Sequence, residues 1–455
     1  MNDSRPRIMF AAPASGSGKT TLVTGFLHAL LARGLKPAAF KCGPDYIDPM
    51  FHRTVSGVPG RNLDLFFTPP EIVRGLLREG MKTSDLAVME GVMGYYDGVG
   101  ATTRASSWHL AAETKTPVVL VIRPKGAFLS LAAMVKGFLD FREGCAIRGL
   151  ILNRCGESYG AKLRTMLERE TGLPVYGCLP EMPGASVESR HLGLLTPDAV
   201  PSLREKLHRL AERMEASLDI AGLVELAKSA SPLSGTLPDV VPVSGAPVRI
   251  AVARDEAFCF YYEENLDLLR SFGAEIVPFS PLHGTALPDN IDGLYLGGGY
   301  PEVHAERLAA NAAMRRSVRR AVTAGLPTLA ECGGFLYLQE KLEDMNGAMH
   351  EMAGALPGVG RNAGRLSRFG YVTLRAKQDT LLSGAGEEMP AHEFHYWDSD
   401  CAGEACAAHK AWGEAAWNCV VATDTLFAGF PHLYFWSNPA MAARFVGAAA
   451  RRRER

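Results

Sequence analysis

The sequence has no apolar run long enough to span a bilayer, no excess of charge of either sign, and no two cysteines at Cys-x-x-Cys spacing. Each absence excludes something. Without a long apolar run there is no candidate transmembrane helix. With a formal net charge of −1 over 455 residues, electrostatics draws the chain neither to nucleic acid nor to an anionic membrane. The nine cysteines are odd in number and scattered, which suits free thiols in a reducing cytoplasm. Cys401, Cys406, His409 and Cys419 lack metal-site spacing and read as ordinary side chains. The stretch 1–7 is polar and carries no signal-peptide core, again as expected for a cytoplasmic protein. The basic run at 451–455 is short and reads as a solvated end. Internal repeats and low-complexity tracts are missing too.

What is present is a hydrophobic fraction of 47%, ordinary for a globular protein, on a chain long enough for two or three domains. Its most informative stretch is Pro13-Ala14-Ser15-Gly16-Ser17-Gly18-Lys19-Thr20. An apolar run over 7–12 precedes it and a helical pattern over 21–33 follows, with Leu22, Phe26, Leu27, Leu30 and Leu31 apolar. Strand, small-residue loop, Gly-Lys-Thr and helix form the context of a phosphate-binding loop. Backbone N–H groups of Ser15, Gly16, Ser17 and Gly18 can face phosphate oxygens. Lys19 can reach the terminal phosphates of ATP, and the Thr20 hydroxyl can bind Mg²⁺. Pro13 stands where the usual motif has glycine, so the loop must be entered differently.

Strands are expected at 7–12, 37–42, 85–89, 117–122, 147–152 and 174–179, with helices at 21–33, 128–141 and 161–170. This alternation implies a parallel, doubly wound sheet with ligands beyond the carboxyl ends of its strands. The second strand runs into Lys41-Cys42-Gly43-Pro44-Asp45-Tyr46-Ile47-Asp48-Pro49, and the third ends at Glu90 before Gly91-Val92-Met93-Gly94-Tyr95-Tyr96-Asp97. An acid directly after a buried strand can hold Mg²⁺, so Asp45, Asp48 and Glu90 are expected to converge with Thr20 on a metal–phosphate cluster. The blander reading makes Asp45 and Asp48 turn caps beside proline. Asn153 and Arg154 end a later strand and could contact adenine or phosphate.

From about 227 to 246 the composition turns to Ser, Pro, Gly and Val, which places a linker at 231–246 between domains at 1–230 and 247–450. A second α/β alternation follows, with strands at 248–253, 275–278, 293–296 and 327–330 and helices at 262–272 and 305–324. Here Glu331-Cys332-Gly333-Gly334 joins a strand to a helix. Such a turn exposes a nucleophile, and a helix N-terminus lowers a thiol's pKa. Gly333 and the strand end Gly297-Gly298-Gly299 can supply oxyanion donors. The thiol needs a base, and His392, His395 and His432 are the candidates.

These residues together resemble the cobyrinic acid a,c-diamide synthase family across nearly the whole chain. The resemblance rests on Ser-Gly-Ser-Gly-Lys-Thr, Lys-Cys-Gly-Pro-Asp-Tyr-Ile-Asp-Pro, Glu-Gly-Val-Met-Gly-Tyr-Tyr-Asp-Gly, Gly-Gly-Gly-Tyr-Pro-Glu, Glu-Cys-Gly-Gly and His-Glu-Phe-His-Tyr. It implies two doubly wound α/β domains: a phosphate-loop ATP domain of the dethiobiotin-synthetase type, then a class I glutamine amidotransferase domain. The implied activity is ATP- and glutamine-dependent amidation of the a- and c-acetates of a corrinoid, through an acyl phosphate, with Mg²⁺. By motif position Cys332 is the nucleophile and His432 its base. Gly298, Gly299 and Gly333 bind glutamine or its oxyanion. Lys41 and Asn153 join the ATP site, and Asp45, Tyr46, Asp48 and Asp97 handle the substrate carboxylate. Ammonia is expected to pass between the domains out of contact with bulk water, and a homodimer is allowed for. Many class I amidotransferases place Glu two residues after the base; here that position is Tyr434. A dyad, or a third member from elsewhere, is therefore expected. The same chemistry serves hydrogenobyrinate or nickel-sirohydrochlorin. From other classes, a regulatory phosphate-loop ATPase with a degenerate glutaminase module and a CO₂-using ligase remain as alternatives.

Overall fold

A computed structural model describes residues 4–182 and 199–454. The chain divides into two compact units, Met1–Leu237 and Pro238–Arg455.

The first unit is built on a seven-stranded parallel sheet. Its strands are β1 (Arg7–Ala11), β2 (Pro37–Cys42), β3 (Gly60–Leu63), β4 (Leu86–Glu90), β5 (Val118–Ile122), β6 (Ile147–Asn153) and β7 (Val175–Leu179). In space they run β3-β2-β4-β1-β5-β6-β7. β1, β4 and β5 are buried along their whole length, which explains their unbroken apolar runs. Helices α1 (Lys19–Ala32), α2 (Ile47–Phe51), α3 (Pro70–Gly80), α4 (Ser107–Thr114), α5 (Leu129–Asp140), α6 (Glu157–Thr171), α7 (Ala199–Ser217) and α8 (Ile220–Lys228) connect or flank them. β1 lies at the switch point between β4 and β5, so the loop after it opens into the crevice where such sheets bind ligands. Among the described residues no helix is long and apolar enough to cross a membrane.

Arg7 fastens this unit from behind. It is wholly buried, its Nε donates to Thr114 O at 3.0 Å, and its guanidinium also reaches the carbonyls of Lys115 and Ser231. Thus part of the expected linker belongs to the first unit: Arg74 and Arg78 likewise donate to the carbonyls of Ser234 and Gly235.

The second unit holds a six-stranded sheet, two smaller sheets and further helices. β8 (Val248–Ala253), β9 (Ala274–Phe279), β10 (Gly293–Leu296), β11 (Thr328–Glu331), β20 (Val421–Ala422) and β21 (Leu426–Gly429) assemble as β20-β21-β11-β10-β8-β9. All neighbours in it are parallel except β20 and β21. Helices α9 (Glu263–Ser271), α10 (Ala305–Ala310), α11 (Ala312–Thr323), α12 (Gly333–Leu338) and α13 (Ala440–Arg453) accompany it. The helix expected at 305–324 is broken at Asn311. That side chain caps α11 by accepting from Met314 N and donates to the carbonyls of Pro281 and Gly284.

Between α12 and β20 the regular structure is all strand, which the sequence reading left blank. β12 (Lys341–Glu343), β13 (Met349–Glu351), β14 (Val359–Asn362) and β17 (Trp397–Ser399) form one sheet. β15 (Arg368–Ala376), β16 (Glu388–His395), β18 (Cys406–Lys410), β19 (Ala416–Cys419) and β22 (His432–Leu433) form another, entirely antiparallel. Its last pair, β16 with β22, brings His392 opposite His432.

Replacing Arg7 by Met should lower the melting temperature, by an amount equivalent to about 2 kcal/mol. The change strands carbonyls that a charged donor now satisfies. Thermal unfolding followed by circular dichroism measures this, and an unchanged midpoint would show that the guanidinium is dispensable.

Candidate active site

The phosphate-binding loop leaves β1 at Ala11 and re-enters regular structure at Lys19. Gly16 and Gly18 take the positive φ that the turn requires, 76° and 85°. A Cβ at Gly18 would collide with Asn153 Nδ2, and that amide donates to Ser17 O at 2.8 Å. Asn153, expected at the nucleotide, thus lies against the loop and helps to hold it. The loop's Ser17 Oγ closes it further by donating to Ala14 O.

Lys19 Nζ donates to Met93 O at 2.6 Å. Burial and the neighbouring Lys41 lower it to about 8. Thr20 Oγ1 donates to Glu90 Oε1 at 2.6 Å. Lys41 Nζ approaches the same oxygen at 2.8 Å and Asp48 Oδ2 at 2.6 Å. Asp48 and Glu90 both meet the Lys41 ammonium, which supplies the compensating charge that two buried carboxylates need. Asp45 caps its own turn, accepting Ile47 N–H through Oδ1 at 2.8 Å. Burial and Asp48 push its acid up to about 6. Asp97 accepts Gly94 N–H at 2.9 Å, and Tyr46 is buried at the start of α2.

The fit of Mg²⁺ here rests on a hydroxyl and a carboxylate. Glu90 is 2% exposed, and its Oε2 has no hydrogen-bond partner among the described residues. Among those residues no three His, Cys, Asp or Glu side chains are gathered to hold a metal by themselves. That suits an ion that keeps its waters and takes few protein oxygens beside a phosphate.

In the second unit β11 ends at Glu331 and Cys332 makes the turn into α12. Cys332 has φ 47° and ψ −103°, a backbone state that costs about 1–3 kcal/mol outside glycine. Its N–H donates to Gly429 O at 2.7 Å, which holds the turn to β21. Gly334 is required next because a Cβ there would collide with the Leu296 carbonyl. The expected lowering of the thiol by the helix end is overridden. Burial, with Glu302 adding repulsion, pushes Cys332 up despite a hydrogen bond from Gly333 N–H. The resting group is a thiol, so attack needs a base.

His432, the base expected from the sequence, follows β21 by three residues. The His432 ring lies over Gly298, where a Cβ would sit 2.5 Å from its Cε1. His432 Nδ1 is 3.7 Å from Glu331 Oε2. Glu331 itself is 2% exposed; Oε1 accepts Leu433 N–H at 3.0 Å and Oε2 accepts the Tyr295 hydroxyl at 3.0 Å. Asn265 clamps the same segment, donating to Leu433 O and accepting from Phe435 N, both at 2.7 Å. Glu331 and Asn265 are the residues that sequence reasoning missed. Glu331 was in view, next to the nucleophile, but only the parallel pairing of β11 and β21 sets it beside His432.

His392 and His395 share this corner but differ from His432. Burial holds them neutral, at about 3 and about 4, and no carboxylate lies within ion-pair distance of either among the described residues. The glycine strand end is held by Tyr261, whose hydroxyl accepts Gly297 N–H at 2.9 Å. The carbonyl of Gly298 accepts from Cys259 and Phe260 N–H. Gly299 N would lie 3.1 Å from a Cβ on Gly333, so the two glycines meet at the nucleophile turn.

Comparisons with known proteins divide the chain the same way. A CobQ/CobB/MinD/ParA nucleotide binding domain matches residues 8–194, and a CobB/CobQ-like glutamine amidotransferase domain matches residues 249–440. The cobyrinate a,c-diamide synthase of Salmonella typhimurium is 39% identical over 450 residues, 97% of this chain and 98% of that protein. The one of Listeria innocua is 38% identical over 452 residues, 98% of this chain and all of its own length. The hydrogenobyrinate a,c-diamide synthase of Thermobifida fusca is 40% identical over 471 residues, 98% of each.

Replacing Lys41 by Met leaves Asp48 and Glu90 buried face to face. Burial already raises the Glu90 acid, and without the ammonium both carboxyls rise further above their unfolded values, so stability present at low pH is lost as pH rises. The melting-temperature gap between wild type and this variant should widen from about pH 5 to about pH 8. A gap independent of pH would show that the lysine does not carry the carboxylates' charge.

Proposed function

The chain belongs to the cobyrinate a,c-diamide synthase family, and from this premise we propose that it converts two acetate carboxylates of a cobyrinate-type macrocycle to amides, with glutamine as nitrogen donor and ATP as activator. The observation that carries the reading is the pairing of His432 with Glu331 at the strand end that also bears the strained Cys332. A degenerate binding module would have no reason to retain that arrangement. The nine free cysteines support a reducing, cytoplasmic setting.

In the glutaminase half, His432 takes the Cys332 proton and the thiolate attacks the side-chain amide carbon of glutamine. N–H groups at Gly299 and Gly333 receive the oxyanion. The imidazolium returns its proton to the leaving ammonia, and water then releases glutamate from the thioester. Glu331 orients the imidazole and balances its transient positive charge. In the ATP half, Lys19 and Lys41 offset charge on the transferring phosphoryl group while a substrate carboxylate attacks it. Thr20 and Glu90 are the groups that would hold Mg²⁺, which when bound neutralises phosphate oxygens. Ammonia then displaces phosphate from the acyl phosphate. Asp45, Tyr46, Asp48 and Asp97 line the turns beside this step and act on the substrate carboxylate. Hydrogenobyrinate is the second reading, favoured by the likeness to the Thermobifida fusca protein.

Incubation of each macrocycle with ATP, Mg²⁺ and glutamine, read by mass spectrometry, tests the reading. The true substrate loses about one mass unit twice as two –OH become –NH₂, and no change with either macrocycle refutes it. In the same assay Cys332→Ala should lose glutamine-driven amidation and keep amidation driven by added ammonia; loss of both would break the division of labour between the halves. Glu331→Gln should lower kcat for glutamine hydrolysis by about 100-fold or more, with little change in KM, and shift the pH profile that reports His432. An unshifted profile would make Glu331 merely structural.

A further inference from the structure

Release of glutamate from the Cys332 thioester consumes a water, which must be held where His432 can deprotonate it. His432 is 1% exposed, so that water has to be brought to it. β16 pairs antiparallel with β22, and the register sets His392 directly opposite His432. Residues directly opposite in such a pair project from the same face, with Cβ atoms about 4.5–5.5 Å apart. His392 therefore stands beside the base, on the face that carries it. Side chains alternate along a strand, so His395 belongs to the other face, where it stacks on Phe430 with ring centroids 4.0 Å apart.

His392 is 7% exposed, and its Nδ1 has no hydrogen-bond partner among the described residues. Its flanks are aromatic. Tyr371 stands opposite it on β15, with ring centroids 6.0 Å apart and planes 71° apart. The Phe369 ring meets it edge-on at 6.1 Å. Phe369 is 56% exposed, so solvent reaches this face of the sheet. Burial and the nearby His432 hold the His392 imidazole neutral, at about 3. A neutral imidazole keeps one nitrogen as an acceptor, and a buried polar atom without a partner calls for one. Water fits that place chemically. It is small enough to share the corner with a thioester, and it has one hydrogen for His392 and one for His432.

We propose that His392 Nδ1 accepts a hydrogen bond from the water that hydrolyses the glutamyl thioester, holding it for deprotonation by His432. The water oxygen attacks the thioester carbon as its other hydrogen passes to His432. The C–S bond breaks, and the imidazolium returns that proton to the Cys332 sulfur. Attack of Cys332 on glutamine uses no water, so His392 serves the second step alone.

The inference rests on the glutaminase reading above. His392→Phe keeps an aromatic ring in place and removes both nitrogens. Acylation governs kcat/KM, whereas deacylation enters only kcat. At saturating glutamine, mass spectrometry of the whole protein after rapid acid quench should show the fraction of enzyme carrying a glutamyl group rise severalfold over wild type. In the same variant kcat and KM should fall together by about 10-fold or more, with kcat/KM held within about twofold. Hydroxylamine, a nucleophile that needs no deprotonation beforehand, should restore turnover and leave as the γ-glutamyl hydroxamate. Should His392→Phe fail to accumulate, His392→Asn, which withdraws the acceptor, should show the same build-up of glutamyl-enzyme. An unchanged glutamyl-enzyme fraction, or a fall in kcat/KM without build-up, would overturn the water site and leave the glutaminase reading standing. Failure of wild type to hydrolyse glutamine at all would overturn both.

Discussion

In each half of the molecule the site depends on a buried glutamate at the last position of a parallel strand. Glu90 ends β4 and collects the Thr20 hydroxyl and the Lys41 ammonium. Glu331 ends β11 and collects the Leu433 N–H, the Tyr295 hydroxyl and the neighbourhood of the His432 imidazole. Both are 2% exposed. A carboxylate in such a place is tolerable only if donors surround it, and a parallel sheet presents those donors at its carboxyl edge, where neighbouring strands end together. The constraint that makes the acid affordable is the one that assembles the reacting groups.

The two glutamates organise different chemistry. Glu90 sits among cations and a hydroxyl, a setting for holding phosphates and a divalent ion. Its second oxygen accepts no hydrogen bond from any described residue. Glu331 has both oxygens engaged near one imidazole, a setting for moving a proton on and off His432. Around it the backbone is held under strain. Cys332 keeps a positive φ because Gly429 anchors its N–H, and Gly298 and Gly334 allow the imidazole and the helix to approach closer than any side chain would permit. Such strain is retained only where packing over-determines it.

Much of this was legible in the residues. Unbroken apolar runs such as Val118–Ile122 announce strands buried on both faces. Gly16, Gly18 and Lys19 announce an anion cradle, and Cys332 between a strand and two glycines announces a sharp strand-to-helix turn, though not that the thiol is buried there. The antiparallel sheet between α12 and β20 was not legible. Its strands carry Arg, Glu and His, with Gly370 inside β15 and Pro390 inside β16, and their pairing joins residues far apart in sequence, as when Arg368 meets His395. The split of the expected helix at Asn311 was equally hidden, since it depends on carbonyls contributed by Pro281 and Gly284.

By itself the amino-acid order determined the two α/β halves, the phosphate cradle and the nucleophile turn, because each is written in contiguous residues whose local conformation carries the signal. Which acid lies beside His432 and which acids neutralise Lys41 were decided only by the tertiary structure. Those choices are made across strand pairings such as Glu331 with Gly429 and His392 with His432. Over a few ångströms in a dry interior, proximity sets charge and proton affinity, and no spacing along the chain records it.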